Sequence, residues 1–471
     1  MDNKVKELLT NSFLFTLASL GSKVLVFLMV PFYTYILTKE EYGVAGVVQT
    51  TASLLFPLVT AKISDAVLRF CFKKDINNRQ VLTIGLEISI LGFLLASLLT
   101  AILSRFTLFD EVGSLIIFVP FLVFASSLSQ LGSFFSRGIG NVRGSAISGV
   151  INTLVVVSLN LLFLLRFKLG VTGYLSSYVI ADVVSFIYLF FSSKIYSYVT
   201  ITIDKELRKK MLVYSLPLVP TSLSWWLLSS FNNYYILSVL GASVVGLYTA
   251  ALRVPSILTV LSDIFSQAWL LSALKDYGSE ENRKFIKSVH KRFFAMLCLL
   301  TGGITLLSYP ISRLLLLGEF ISGWRIIPFL FVSVFWGALV GFYGSIFSAE
   351  NKTKIQLYST LLGALVSVLI VVCFLKPYGL TIVAIATVVG YYVVWLVRKE
   401  VLKKYIDVGM STMKCTLYGF LLSAIAFLVI KELYVLALSF YILLLVLNRT
   451  ELISISCFFY KETVTYIKKR L

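Results

Sequence analysis

Apolar residues gather along the chain into long stretches separated by short polar or basic connections. About fourteen of these approach the roughly 20 residues that a helix needs to cross a bilayer. Their approximate limits are 12–37, 43–64, 81–104, 113–133, 145–166, 171–193, 213–240, 243–269, 293–310, 326–347, 355–375, 378–397, 413–430 and 433–448. The last is short and leads into a mixed tail from Asn448 to Leu471. On one side the connections are very short: Thr38 to Tyr42, Gly241-Ala242, Lys376-Pro377 and Lys431-Glu432. The other side carries Lys73-Lys74, Arg137 and Arg143, Lys205 to Lys210, Arg283 to Arg292, Arg398 to Lys404, and Lys468 to Arg470. The pattern predicts an all-α polytopic membrane protein with about 14 transmembrane helices.

Polar residues inside these stretches fall at helical spacing. Between Val245 and Trp269, residues Thr249, Arg253, Ser256, Asp263 and Gln267 share one helix face, broken only by Val260. An arginine near the middle of a span costs roughly 2.5–3.5 kcal/mol on the insertion scale, so Arg253 needs a compensating environment. Pro255 predicts a kink just after it. In the first span Ser12, Thr16, Ser19 and Lys23 form a similar stripe, with Pro31 further out. Such faces suit a wet, cationic cavity in a transporter. Lys62 is a weaker candidate, because Asp65 and Arg69 follow at spacings that make an ordinary charge cluster. Asp182 lies mid-span with Tyr178 and Ser185 on its face, a position that suits a proton or cation relay. Glu87 and Asp263 sit nearer the basic side and could snorkel to water. Asp182, Glu87 and Asp263 are thus candidates for coupling or counter-ion roles, including a salt bridge from Asp182 to Lys23 or Arg253, or from Glu87 to Lys23.

Composition agrees with the membrane reading. Apolar residues make up 58% of the 471, and the mean hydropathy is +0.91. A soluble domain holds roughly 45–50% apolar residues. The formal charge of +19 would suggest nucleic acid in a soluble protein. Here it fits basic loops on the cytoplasmic face, facing anionic lipid. About 31 Lys and Arg fall on one side and about 8 on the other, which places both termini in the cytoplasm by the positive-inside rule. Met-Asp-Asn-Lys runs into an apolar stretch with no small-residue cleavage site, and is expected to begin a first span and not a removable signal. The five cysteines are scattered, without the spacing of a disulfide framework or zinc site. His290, the single histidine, is expected in a basic loop. Trp225, Trp226, Tyr234, Tyr235, Trp269, Trp336, Tyr391, Tyr392 and Trp395 fit interface belts or helix packing, and some could line a glycan path. No phosphate-binding loop or H-E-x-x-H occurs, and no loop exceeds about 23 residues, so neither an ATP-driven domain nor a catalytic domain is expected.

The chain also reads as a duplication. Tyr35-Ile36-Leu37 followed by Tyr42-Gly43-Val44 is echoed by Tyr235-Ile236-Leu237 followed by Gly246-Leu247-Tyr248. The expected organisation is a six-helix lobe over 1–200, a second over 201–400 and two further helices with a cytoplasmic tail over 401–471. Six spans is an even number, so the lobes form a parallel repeat, as in transporters whose site lies between halves.

Four segments carry a resemblance. Tyr-Ile-Leu-Thr-Lys-Glu-Glu-Tyr-Gly (35–43) resembles the external turn after span one in polysaccharide-exporting flippases. Arg137-Gly138-x-Gly140-Asn141-x-Arg143 resembles their loop between spans four and five, while Tyr214-Ser-Leu-Pro-Leu-Val-Pro220 and Val245-Gly-Leu-Tyr-Thr-Ala-Ala251 resemble the opening of their second lobe. The family is the polysaccharide-transporter branch of the multidrug/oligosaccharidyl-lipid/polysaccharide (MOP) exporter superfamily, which includes O-antigen flippases. The resemblance implies a monomer in the bacterial cytoplasmic membrane that moves undecaprenyl-diphosphate-linked glycans outward by alternating access, for O-antigen or capsule-type polymers. Related lipid II flippases use basic residues on spans one, two and eight, where this chain has Lys23, Lys62 and Arg253. Many members carry an acidic-basic pair where this chain has Asn232-Asn233, which puts any ion-pair role there in doubt. No cofactor is expected; coupling to an H+ or Na+ gradient or to the membrane potential is, with membrane lipids and polymerase or chain-length proteins as partners and no nucleic acid. The competing readings are a cation-coupled multidrug exporter of the same superfamily and a membrane glycan polymerase.

Overall fold

The computed structural model of the chain describes residues 21, 24–73, 75–200, 202, 204–260, 262, 280–349, 352–406 and 408–451. Among the described residues every regular element is a helix. Among the described residues eleven helices are long and apolar enough to cross a membrane, and Val24–Ile36 and Tyr434–Leu447 are shorter apolar helices. The chain is an all-α, multi-pass membrane protein, as expected, and the figure of fourteen spans is approximate. The chain divides into two compact units, one comprising Met1–Arg253 with Leu315–Phe320, the other Val254–Leu314 with Ile321–Leu471.

In the first unit the order is α1 (Val30–Ile36), α2 (Lys39–Thr60), α3 (Ile63–Cys71), α4 (Asn78–Leu103), α5 (Phe118–Gly138), α6 (Val142–Asn160), α7 (Gly170–Ser192), α8 (Lys205–Ser215), α9 (Leu218–Leu240) and α10 (Ala242–Arg253). A capping box starts α2: Thr38 Oγ1 accepts from the Glu41 amide at 3.2 Å, and Glu41 Oε2 accepts from the Thr38 amide at 2.9 Å. The expected second span, 43–64, is divided, because Ala61 and Lys62 adopt left-handed φ values of 48° and 54° and end the helix before α3 begins. Lys205 to Lys210, expected as a basic connection, forms the first turns of α8. Asp204 caps it by accepting from the Glu206 and Leu207 amides at 2.9 and 3.0 Å.

Gly241, at φ 81°, turns the chain between α9 and α10, and Glu111 Oε2 accepts from the Ala242 amide at 2.7 Å. Helices α2 and α10 then cross at backbone contact. A Cβ on Gly43 would collide with the Ala242 carbonyl, and one on Gly246 would collide with the Lys39 carbonyl. Small residues let membrane helices approach this closely and gain dispersion contacts that lipid does not supply. The two echoed Gly-containing segments of the sequence are therefore the two halves of one crossing. The short segment Leu315–Phe320 docks on the same unit. Thr34 Oγ1 donates to the Leu315 carbonyl and accepts from the Leu317 amide, both at 3.1 Å, and Lys39 Nζ pairs with Glu319 at 2.8 Å.

In the second unit α11 (Glu280–Leu306) and α12 (Ser308–Leu315) precede α13 (Ile327–Ala349), α14 (Thr353–Tyr378), α15 (Leu380–Leu402), α16 (Thr412–Ile430) and α17 (Tyr434–Leu447). Its core is aromatic. The rings of Trp336 and Trp395 lie 4.6 Å apart, and Tyr392 is 5.0 Å from Trp336. These aromatics serve helix packing, one of the roles expected for them. Arg398 is buried and spans three helices, donating to the Val340 carbonyl at 2.8 Å and to Ser359 and Thr360 hydroxyls at 3.0 Å. His290 is not in a loop: it is buried on α11, bonded to the Val408 carbonyl at 3.1 Å and the Tyr343 hydroxyl at 3.0 Å. The basic residues around it suggested solvent, but while Arg292 is exposed and Lys291 half-buried, His290 turns inward.

The α2–α10 crossing yields a stability prediction. Gly43→Ala and Gly246→Ala should each lower the detergent melting temperature, consistent with the roughly 1–3 kcal/mol of an overpacked contact. Gly149→Ala, where a Cβ meets nothing within 4 Å, should leave it unchanged or raise it. Equal melting temperatures for Gly43→Ala and the parent, by fluorescence-detected size exclusion after heating, would contradict the crossing.

Candidate functional site

Arg253 closes α10, about 16 Å along the helix from Ala242 at 1.5 Å per residue, which is near the middle of a span. Its guanidinium donates to the Tyr42 hydroxyl, with Tyr174 and Tyr178 also in electrostatic reach. The close α2–α10 approach brings Tyr42, next to Gly43, to this position. Tyr33 and Tyr174 meet edge-on with centroids 5.1 Å apart, Tyr42 and Tyr174 are 6.0 Å apart, and Tyr174 and Tyr178 are 5.2 Å apart. The Tyr174 and Tyr178 hydroxyls are 3.3 Å apart. Tyr33, Tyr42 and Tyr174 are buried, while Arg253 and Tyr178 are half-buried. Phenols hold a guanidinium through hydroxyl oxygens and ring quadrupoles, and being neutral they leave its charge uncancelled.

One turn beyond Tyr178 on α7, Asp182 lines a cavity of about 390 Å³ in the same unit. Gln49, Ser53, Phe56, Gln130 and Tyr178 also line it. Asp182 Oδ2 accepts from Ser126 at 2.7 Å, Oδ1 accepts from Asn152 at 2.8 Å, and Ser129 is a further donor. The carboxylate is thus held by neutral donors from α5 and α6. Of the face expected around Asp182, Tyr178 lines the cavity and also belongs to the Arg253 cluster, whereas Ser185 donates to the Ser148 carbonyl at 3.3 Å.

Elsewhere in the unit, Asn232 and Asn233 fasten α9 to its neighbours. Asn233 Nδ2 donates to Thr50 Oγ1 at 2.7 Å, Asn232 Nδ2 to the Tyr248 hydroxyl at 3.2 Å, and Tyr234 to Thr51 Oγ1 at 2.7 Å. Amide and hydroxyl bonds occupy the place of the ion pair that many family members were expected to carry.

The remaining candidates are dispersed. Lys62 sits at the break between α2 and α3 and pairs with Asp65 at 3.2 Å, the ordinary charge cluster that its spacing allowed. Glu87 on α4 pairs with Arg208 on α8 at 2.6 Å, so it joins two helices of the basic side. Lys23 and Asp263 lie outside the described residues. Tyr33, Tyr42 and Tyr174 around Arg253, and Ser126, Gln130 and Asn152 around Asp182, were not found from the sequence. For Tyr174 a signal existed: with Tyr178 and Asp182 it recurs at spacings of four along one helix.

The helical architecture and this embedded site belong to a multi-pass membrane protein with the fold of the MOP-superfamily transporters. An inward-facing multidrug resistance MATE family transporter shares the fold with a TM-score of 0.66 and 18% identity, over 83% of this chain and 96% of that one. The lipid II flippase MurJ, in an inward closed conformation, gives a TM-score of 0.68 at 15% identity over 96% of this chain and 100% of that one. A MOP transporter from Pyrococcus furiosus, described as having a binding pocket of reversed polarity, gives 0.51 at 17% identity over 86% and 94%. The family model described as polysaccharide biosynthesis protein matches residues 8–271, more than half of the chain, and the chain belongs to that family. No curated protein matches it.

The Glu87–Arg208 geometry predicts a charge-swap result. Glu87→Lys should lower the melting temperature by an amount on the scale of about 1 kcal/mol, the size of a partly exposed pair. Adding Arg208→Glu to the same chain should restore most of the loss. A double variant no more stable than Glu87→Lys alone would rule out the pair as a helix tie.

Proposed function

We propose that the protein is a flippase, not an enzyme, that carries undecaprenyl-diphosphate-linked oligosaccharide repeat units from the cytoplasmic to the outer leaflet by alternating access, for O-antigen or capsule-type polymers. Membership of the polysaccharide biosynthesis family and the transporter fold support this reading. The observation that carries it is Arg253, a guanidinium near mid-span framed by tyrosines. A diphosphate is excluded from hydrocarbon by its charge. Arginine presents a rigid fork of N–H donors that matches phosphate oxygens, and near mid-span it supplies the opposite charge where the barrier is highest. The prenyl tail can stay in lipid while the head group passes. Lys23 and Lys62 would add positive charge along the route, with Lys62 shared with Asp65. Movement would draw on an H+ or Na+ gradient or the membrane potential. The setting is a bacterial cytoplasmic membrane with both termini inside, a monomer working beside polymerase and chain-length proteins.

One observation favours a second reading. The Asp182 cavity offers a carboxylate beside Phe56 and Tyr178, a combination that can hold an organic cation, as a multidrug exporter requires.

The test is the sidedness of lipid-linked glycan in cells lacking the protein, probed on spheroplasts with an impermeant glycan-modifying reagent. Complete repeat units should accumulate, protected until the membrane is opened. Arg253→Ala should reproduce that accumulation while inserting normally, and Arg253→Lys should retain part of the export. Unpolymerised units accumulating outside would point to a polymerase. No accumulation anywhere, with raised sensitivity to cationic drugs, would favour the multidrug reading.

A further inference from the structure

We propose that the Asp182 cavity is a sugar subsite that accepts a neutral or amino-sugar residue of the translocated glycan and rejects an acidic one. The inference rests on the flippase reading, and it assigns Asp182 to substrate selection instead of to coupling.

The cavity volume of about 390 Å³ lies at the small end of the roughly 300–1,000 Å³ typical of small-molecule sites. That admits about one or two sugar rings, not a whole repeat unit. Its chemistry matches a sugar on each count. Gln49 and Gln130 present amides that both donate and accept, as sugar hydroxyls do, and Ser53 and Tyr178 add hydroxyls. Phe56 and Tyr178 provide rings against which the C–H face of a pyranose can pack, while Leu122 and Val123 complete an apolar wall.

Charge sets the selectivity. Asp182 is the single ionisable carboxylate among the lining residues, and no lysine or arginine lines the cavity. A carboxylate has about four acceptor sites, and Ser126, Asn152 and Ser129 are three donors to this one, so room remains for a further donor. Gln130 Oε1, four residues along α5 from Ser126, is buried with no hydrogen-bond partner among the described residues. Asp182 therefore keeps acceptor capacity for one further donor from the cavity. A sugar hydroxyl or ammonium group supplies it. A uronate replaces the C6 hydroxyl, a donor, with a carboxylate that can only accept, and brings a second negative charge beside Asp182, which fixed donors already hold in place.

Tyr178 places the subsite relative to the diphosphate. It lines the cavity on one side and belongs to the Arg253 cluster on the other. A sugar in the cavity and a diphosphate at Arg253 would thus sit on either side of one phenol, as two covalently linked parts of one head group must.

The test uses the purified full-length protein in detergent and saturation-transfer NMR with four probes: methyl glucopyranoside, methyl N-acetylglucosaminide, glucosamine and methyl glucuronide. Millimolar binding is expected for the first three, with glucuronide about tenfold weaker. Asp182→Asn, which keeps the shape and removes the charge, should shrink that gap to within about threefold. Gln130→Leu should weaken all the sugars and leave the glucuronide gap in place, so the proposal stays testable if the Asp182 variant does not fold. Glucuronide binding as well as glucoside in the parent protein would overturn the proposal. So would an absence of sugar binding at about 50 mM. Tight tetraphenylphosphonium binding, lost in Asp182→Asn and without competition from sugars, would assign the cavity to organic cations. Asp182→Asn that binds all probes unchanged, yet abolishes gradient-dependent export, would return Asp182 to a coupling role. Failure of the sugar assay with the protected-glycan accumulation intact would remove the subsite and leave the flippase; the reverse pattern would remove the flippase, and with it the link to a translocated glycan, and leave only a sugar-binding cavity.

Discussion

The first unit depends on two helices meeting at backbone contact. Lipid is as apolar as leucine, so burying more leucine gives membrane helices no reason to associate; close dispersion contact and satisfied polar groups do. Gly43 and Gly246 supply the contact, each lying against a carbonyl of the other helix. The pairing of Arg253 with Tyr42 follows from that approach, while α1 and α7 add Tyr33, Tyr174 and Tyr178. Tyr42 adjoins Gly43, Arg253 lies two helical turns beyond Gly246, and the shared crossing lets guanidinium and phenol meet. The N-terminal ends of both helices are held too, by the Thr38–Glu41 capping box and by Glu111 on the Ala242 amide.

A second theme is how charge is carried inside a low-dielectric core. Buried ions are costly unless surrounded by oriented dipoles or partners. The protein uses neutral partners for three of the charges within its helices: phenols around Arg253, hydroxyls and an amide around Asp182, and a carbonyl with two hydroxyls around Arg398. Direct ion pairs, such as Lys62–Asp65, Glu87–Arg208 and Lys39–Glu319, lie where water shares the load. Neutral partners hold a charge in place without cancelling it, which is what a site for a charged or strongly polar head group requires.

The fold class was legible because bilayer thickness forces a length and composition on every span, so the run of apolar residues from Asn78 to Leu103 cannot be much else. Breaks were harder. Pro255 announced the interruption after Arg253, but nothing in Ala61-Lys62 announces a left-handed turn. His290 misled because local charge says which side of the membrane a helix end lies on, not which face of that helix is buried. Of the site, Arg253 and Asp182 stood out as charges in apolar runs. Their surroundings did not, since serine, glutamine and tyrosine are unremarkable one at a time and become a site only when several helices bring them together.

By itself, then, the sequence determined what most segments must do: cross the bilayer and account for a few intramembrane charges. Those are local consequences of solvent and helix period. Tertiary structure alone decided the partners. It made the two echoed glycine segments one crossing, joined Glu87 to Arg208, paired Asn233 with Thr50, and set Tyr178 between Arg253 and Asp182. Periodicity fixes the face on which a residue lies; only the packing of helices distant in sequence fixes what that face meets.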